Sequence, residues 1–311
     1  MLNVGVLAKF SNESKQRLSE AQDCCFTFLD GTAEDNAIKD FTVVIGEPSQ
    51  AQLENAPNLK LLQLTWAGAD KYCGAGDFLL ANASGAFGRP ISEYVVGAIL
   101  CLYKRFPQYL EHKHNRLWLD AGAERSLSGK TVLILGTGDI GQSIAKRLCA
   151  FDAKILGIRR RPQRTEGFKR VYSLDSLDIL LKDADIVIGC LPNTPQTAGL
   201  LCKKRLLEMK KDALLVNVGR GSLISSADLA EVLKGGHLSG AVLDVFDREP
   251  LDKDSPLWDM DNLFITPHIS GIGLGHDEQT ERDVVDICIK NLTSLANGRP
   301  LINLVDKTLG Y

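Results

Sequence analysis

The stretch Thr131-Val132-Leu133-Ile134-Leu135-Gly136-Thr137-Gly138-Asp139-Ile140-Gly141 carries an apolar, β-type run straight into a G-x-G-x-x-G turn. A helical pattern follows at once, with Ile140, Ile144 and Leu148 recurring every four residues to form one apolar stripe. A glycine motif alone is weak, but strand, turn and helix in that order read as a dinucleotide-binding turn. Gly136 allows the tight turn, Gly138 admits a pyrophosphate close to the backbone, and Gly141 lets the helix pack on the strand. Asp139 and Ile140 open the helix, where unpaired N–H groups and the positive dipole end favour phosphate.

The end of the next strand reports which dinucleotide is bound, because NAD-binding folds place a carboxylate there for the ribose 2′-hydroxyl. Here Ala153–Ile158 ends in Arg159-Arg160-Arg161, with no carboxylate. A guanidinium grips a 2′-phosphate in two-point geometry and has no comparable hold on a neutral hydroxyl. Arg159 and Arg160 therefore point to NADP(H), with NAD as the lesser possibility. Arg164, Lys169 and Arg170 extend the positive neighbourhood.

Outward from this turn, strand-like and helix-like runs alternate along the whole chain, the signature of α/β architecture with parallel sheets. Four strands are predicted in the first third, at Val4–Ala8, Cys25–Leu29, Thr42–Ile45 and Leu59–Leu64. Six follow in the second unit, at Thr131–Leu135, Ile155–Ile158, Ile186–Cys190, Leu214–Val218, Ala241–Val245 and Leu263–Thr266. Between them a long helical pattern spans Ile91–Trp118, with Pro107 expected to kink or break it. Asp277–Asn297 is helical in period, and Leu301–Val305 is a short run able to return to the first unit.

The 311 residues suffice for two domains, and a formal net charge of −3 gives no basic surface for nucleic acid or membrane. The eight cysteines form no C-x-x-C pattern and read as reduced, mostly buried thiols. No apolar run is long enough to span a membrane, and the N-terminus reads as a first strand, so a cytoplasmic protein is expected.

Three polar residues stand just past predicted strand ends: Arg220, Glu249 and His268. Ligands of open α/β sheets bind outside the carboxyl ends of the strands, so the three converge on one crevice. Reducing a carbonyl requires a proton donor, for which imidazole is suited near neutral pH, and a neighbouring carboxylate orients it. An arginine clamps a substrate carboxylate in two-point geometry. Each alone reads as an ion-pair, turn or loop residue; together they carry chemistry. His112, His114, His237 and His276 lack this setting, and no metal-ligand spacing is present.

These residues resemble the D-isomer-specific 2-hydroxyacid dehydrogenase family. The resemblance rests on Gly136–Gly141, Cys190-Leu191-Pro192-Asn193-Thr194-Pro195-Gln196-Thr197, Val216-Asn217-Val218-Gly219-Arg220-Gly221, Leu243–Leu251 and Thr266-Pro267-His268-Ile269-Ser270-Gly271. It implies that Arg220, Glu249 and His268 are the catalytic trio, with His268 as acid and base. It places Leu191, Pro192, Thr197, Val218, Gly219, Asp244 and Gly271 along the cofactor. It assigns the turn at Trp66, Ala67 and Gly68 to the substrate carboxylate, with Arg220 and His268 completing the substrate contacts. It also implies a Rossmann-type cofactor domain, residues 98–287, inserted into a flavodoxin-like substrate domain made of residues 1–97 and 288–311, both doubly wound. A homodimer is expected.

Two positions depart from the family pattern. Arg159 replaces the acidic residue of NAD-preferring relatives, which brings the NADPH-dependent glyoxylate and hydroxypyruvate reductases nearest. Tyr94 stands where many relatives carry His, and aromatic packing on a helix is its expected role. The competing readings are an NAD(H)-dependent D-2-hydroxyacid or phosphoglycerate dehydrogenase and a nucleotide-sensing, corepressor-like partner protein. Formate dehydrogenase is disfavoured, since those relatives carry Gln where Glu249 stands.

Overall fold

Every strand ladder among the described residues is parallel, as the alternating pattern predicts, and helices carry most of the connections between strands. The computed structural model describes residues 1–311 apart from Ala33 and Ile272. The chain runs β1 (Leu2–Val6), α1 (Asn12–Ser19), β2 (Cys24–Phe28), β3 (Val43–Ile45), α2 (Gln50–Glu54), β4 (Leu61–Gln63) and β5 (Leu79–Ala81). These strands form a sheet of order β2-β1-β3-β4-β5. Ser11 caps α1 through the Ser14 N–H, and Ser49 with Gln52 forms a reciprocal capping box that starts α2. Val44, Leu62, Leu64 and Leu80 pack this sheet against Ile38, Phe78 and Val305.

The second body begins with α3 (Gly88–Tyr103) and α4 (Phe106–His114), then β6 (Thr131–Leu135), α5 (Asp139–Cys149), β7 (Lys154–Ile158) and β8 (Arg170–Tyr172). It continues through α6 (Leu177–Leu181), β9 (Ile186–Gly189), α7 (Lys203–Glu208), β10 (Leu214–Asn217), α8 (Ser226–Lys234), β11 (Gly240–Leu243) and β12 (Leu263–Ile265). Its sheet has the order β12-β11-β10-β9-β6-β7-β8. β9, β10 and β11 are buried along their whole length, which is why they read as continuous apolar runs rather than alternating ones. The order reverses at β6, so the glycine turn sits at the topological switch point where such sheets bind ligands.

α9 (Glu278–Ala296) carries the chain back to the first body, its start fixed by the Asp277 carboxylate accepting the Thr280 N–H at 2.9 Å. The run after Pro300 then pairs Leu304 with Ala81, as its sequence anticipates. Contacts divide the chain into Met1–Phe87 with Ile272–Tyr311, and Gly88–Gly271. The expected transitions at 97/98 and 287/288 fall inside α3 and α9, each of which continues unbroken past them.

Other local differences have simple causes. β5 and β8 were not predicted: each is three residues long, too short to show a pattern. The long helix breaks at Arg105, at φ 54, and not at Pro107, which sits in the first turn of α4 where its missing N–H costs nothing. The cysteines are all free, but Cys288 alone is buried while Cys25, Cys149 and Cys202 are exposed. Cys149 and Cys202 lie at helix ends and Cys25 on an edge strand, where side chains meet solvent. Among the described residues no helix is long and apolar enough to cross a membrane.

Candidate active site

Backbone bonds lace the exits of neighbouring strands into one rim. Cys190 N–H donates to the Leu135 carbonyl at 2.8 Å, Val218 to Gly189 at 3.1 Å, Asp244 to Asn217 at 3.1 Å, and Thr266 to Leu243 at 3.0 Å. The turns after β6, β9, β10, β11 and β12 therefore stand side by side, each carrying one of the motifs singled out in the sequence.

At the β6 exit, Gly136 lies at φ 102, and a β-carbon there would come within 2.8 Å of the Cys190 carbonyl oxygen. At Gly141 a β-carbon would sit 2.0 Å from the Gly136 carbonyl oxygen, so α5 packs on the turn as closely as the motif requires. Apart from its chain neighbours, none of the described residues comes within 4 Å of the same position on Gly138. The N-terminus of α5 has no side-chain cap, and the buried Thr137 hydroxyl has no hydrogen-bond partner among the described residues. Open space, uncapped N–H groups and an unmatched hydroxyl fit a dinucleotide pyrophosphate.

Arg159 follows β7 directly, half-buried and without an ion-pair partner among the described residues. Arg160 beside it is exposed, whereas Arg170 is turned aside onto the Tyr172 ring, 4.8 Å from its centroid. Past β9, Thr197 holds the Leu191–Pro192 turn by donating to the Pro192 carbonyl at 2.6 Å and accepting the Thr194 N–H at 2.9 Å. A β-carbon on Gly219 would come 2.8 Å from the Leu191 carbonyl oxygen, so the turns after β9 and β10 are in contact.

The buried Asn217 shapes the turn that carries Val218, Gly219 and Arg220. Its Oδ1 accepts the Gly219 N–H at 3.2 Å and its Nδ2 donates to the Arg220 carbonyl at 3.0 Å. The Arg220 Nη1 in turn donates to the Gly219 carbonyl at 2.8 Å. Glu249 lies in the turn after β11. One of its carboxylate oxygens accepts the Phe246 N–H at 2.9 Å and the other meets His268 Nδ1 at 2.8 Å. The His268 side chain remains 51% exposed, so the imidazole is anchored on one edge and open on the other. Asp244, fully buried, accepts N–H groups from Ile269 at 2.8 Å and Ser270 at 2.9 Å and so fixes the turn that ends at Gly271.

In the first body, the turn after β4 is held from both sides. Thr65 donates its N–H and hydroxyl to Glu47 at 2.8 and 2.9 Å, while Asn82 donates to the Ala67 carbonyl at 2.8 Å. Trp66 stacks on Phe87 with centroids 5.9 Å apart, and Gly68 completes the turn half-buried. The turn-shaping role of Asn217 and the link from Tyr94 to Thr266 described below go beyond what the sequence pattern shows. A buried amide between a strand and an arginine was the available signal for the former. Among the described residues no cluster of side chains fits a metal ion.

Residues 96–270 match the family model described as D-isomer specific 2-hydroxyacid dehydrogenase, NAD binding domain. The chain is 30% identical over 308 residues to a glyoxylate/hydroxypyruvate reductase A of Serratia proteamaculans, covering 95% of this chain and 94% of that one. A solved D-isomer specific 2-hydroxyacid dehydrogenase family protein from Aeromonas salmonicida superposes with a TM-score of 0.89 at 36% identity, covering 98% and 99% of the two chains. An NADPH-dependent glyoxylate/hydroxypyruvate reductase from Sinorhizobium meliloti, solved with NADP and sulfate, superposes over the full length of both at 0.86 and 27% identity. The rim geometry, the Rossmann-type sheet and these similarities agree: the chain belongs to the D-isomer-specific 2-hydroxyacid dehydrogenase family, whose members are NAD(P)-dependent oxidoreductases.

Proposed function

We propose that this enzyme reduces a small 2-keto acid, such as glyoxylate, hydroxypyruvate or a bulkier analogue, to the D-2-hydroxy acid with NADPH. The observation that carries the reading is the 2.8 Å contact between His268 Nδ1 and Glu249. With Nδ1 engaged, Nε2 is the ring nitrogen left to face a substrate oxygen. The glycine turn at Gly136–Gly141 would hold NADPH, which would supply the hydride for the carbonyl carbon. His268 Nε2 supplies the proton that converts the carbonyl oxygen to a hydroxyl, and Glu249, by engaging Nδ1, holds the ring so that Nε2 faces that oxygen. In the reverse direction the same nitrogen takes the hydroxyl proton. Arg220 clamps the keto-acid carboxylate in two-point geometry and prevents rotation of the substrate. The resemblance assigns the Trp66-Ala67-Gly68 turn to the same carboxylate.

The preference for NADPH rests on the half-buried Arg159 at the β7 exit, with Arg160 next to it, and on the NADP held by the Sinorhizobium meliloti relative. Leu191, Pro192, Thr197, Val218, Gly219, Asp244 and Gly271 line the cofactor in this reading. We assign the first body to substrate and the second, which holds the glycine turn, to cofactor. A homodimer fits the exposed apolar side chains Phe106, Leu110, Leu117, Trp118 and Leu119, since patches of this kind mark protein contacts. Eight free thiols fit a reducing, cytoplasmic setting.

The test follows nucleotide absorbance with glyoxylate, hydroxypyruvate and bulkier 2-keto acids, using NADPH and NADH in parallel. The reading expects turnover with NADPH and a kcat/KM about tenfold or more above that with NADH, as a lost bidentate phosphate contact implies. Nucleotide binding without turnover of any 2-keto acid would replace it with the nucleotide-sensor alternative.

A further inference from the structure

His268 lies at φ 57, in the left-handed region that a non-glycine side chain occupies only when its surroundings impose it. Asp244 imposes it. The His268 N–H donates to the Asp244 carbonyl at 2.8 Å, and the next two N–H groups, of Ile269 and Ser270, go to the two carboxylate oxygens of the same residue. Because Asp244 is fully buried, the orientation of its carboxylate is set by protein donors alone among the described residues.

A further donor to that carboxylate is itself held from a distant part of the chain. The Thr266 hydroxyl donates to Asp244 Oδ1 at 2.6 Å, and the Tyr94 hydroxyl lies 2.6 Å from Thr266 Oγ1. A threonine hydroxyl has one proton, and here it is committed to the carboxylate, so Tyr94 is the donor to Thr266. The direction is therefore fixed from Tyr94 through Thr266 to Asp244. Burial pushes the Tyr94 phenol up to about 12, with Asp244 adding to the shift against the Thr266 hydrogen bond, so Tyr94 keeps its proton at working pH. All four residues lie in the second body, Tyr94 on α3 and the rest at the exits of β11 and β12.

We infer that Tyr94 is a positioning residue for His268: its hydroxyl locks Thr266, Thr266 locks the Asp244 carboxylate, and Asp244 holds the imidazole-bearing turn in its left-handed conformation. Aromatic packing alone, the role expected from the sequence, does not require the phenolic oxygen. The kinetic half of the inference rests on the catalytic reading of His268; the conformational half does not.

The experiment compares wild type with Tyr94→Phe, Thr266→Val and Thr266→Ser. Amide hydrogen exchange is measured over residues 267–271 and across the sheet, NADPH affinity by fluorescence, and kcat with its solvent deuterium isotope effect on a 2-keto acid. In Tyr94→Phe, exchange at 267–271 is expected to rise about fivefold while the sheet keeps its protection, as the loss of one net hydrogen bond implies, and in Thr266→Val, which loses both the bond to Asp244 and the acceptor for Tyr94, by at least as much. The same two variants are expected to lose about tenfold in kcat with a larger isotope effect and NADPH affinity within about twofold of wild type, because a misplaced acid slows proton transfer. Thr266→Ser keeps the hydroxyl and is expected to behave as wild type. If Tyr94→Phe does not fold, Thr266→Val against Thr266→Ser makes the same comparison. Unchanged exchange at 267–271, or an equal rise throughout the sheet, overturns the inference. A wild type that turns over no 2-keto acid overturns the catalytic reading instead, and the exchange data still decide the clamp.

Discussion

Gly221 lies so close to Phe246 that a β-carbon on the glycine would sit 1.8 Å from the Phe246 carbonyl oxygen. The N–H of that same Phe246 is held by Glu249 at 2.9 Å. The turn carrying Arg220 and the acid that backs His268 are thus braced by one residue. Gly221→Ala forces these turns apart, and overpacking of this kind costs about 1–3 kcal/mol. Thermal unfolding is expected to show that loss, together with a drop in kcat/KM larger than the loss of folded protein explains. A variant with wild-type stability and turnover would show that the close approach is not needed.

Arg220→Lys keeps the charge and removes the fork. A point charge on a flexible stem does not reproduce two-point binding of a carboxylate, so kcat/KM for a 2-keto acid is expected to fall by about 100-fold or more. NADPH affinity measured by fluorescence stays near wild type. An unchanged KM for the keto acid would remove Arg220 from substrate binding.

Arg159→Asp places a carboxylate where a ribose 2′-hydroxyl would be held and where a 2′-phosphate would be repelled. The ratio of kcat/KM with NADPH to that with NADH is expected to fall by about 100-fold, to below one. If the ratio does not move, the guanidinium at the β7 exit does not select the cofactor.

The glycine turn, the strand alternation and the three strand-end residues were legible because each depends on local sequence: apolar periodicity, turn glycines, and polar residues just after apolar runs. What escaped depends on distance along the chain. Tyr94 and Thr266 are 172 residues apart, and only the tertiary placement of α3 beside the β12 exit brings the phenol to the hydroxyl. β5 and β8 owe their existence to the edges of sheets already formed, to which three residues suffice to pair. A proline signals a helix boundary from either side, and the place of Pro107 in the first turn of α4, after the break at Arg105, shows which side.

Asp185 links stability to pH. Burial resists its ionisation, but the Lys210 ammonium at 2.8 Å, the Thr131 N–H at 2.9 Å and Lys130 outweigh burial and hold its carboxyl below the usual range. A carboxyl lowered in the folded state stabilises the protein above its unfolded pKa, and that stabilisation disappears as pH falls through the folded value. Asp185→Asn is therefore expected to lose about 1–2 kcal/mol near neutral pH, from the charged hydrogen bonds it gives up. The difference from wild type should narrow below about pH 4, the ordinary carboxylate range. A gap that stays constant down to pH 2 would assign the loss to packing.

The contact between His268 and Glu249 is the centre of the account, and His268→Asn interrogates it with the nucleotide turn untouched. Single-turnover reduction of glyoxylate or hydroxypyruvate is expected to slow by about 10²- to 10⁴-fold, the contribution of a positioned acid, while NADPH binds within about twofold of wild type. Turnover within a few-fold of wild type would contradict the assignment of His268 as the proton donor.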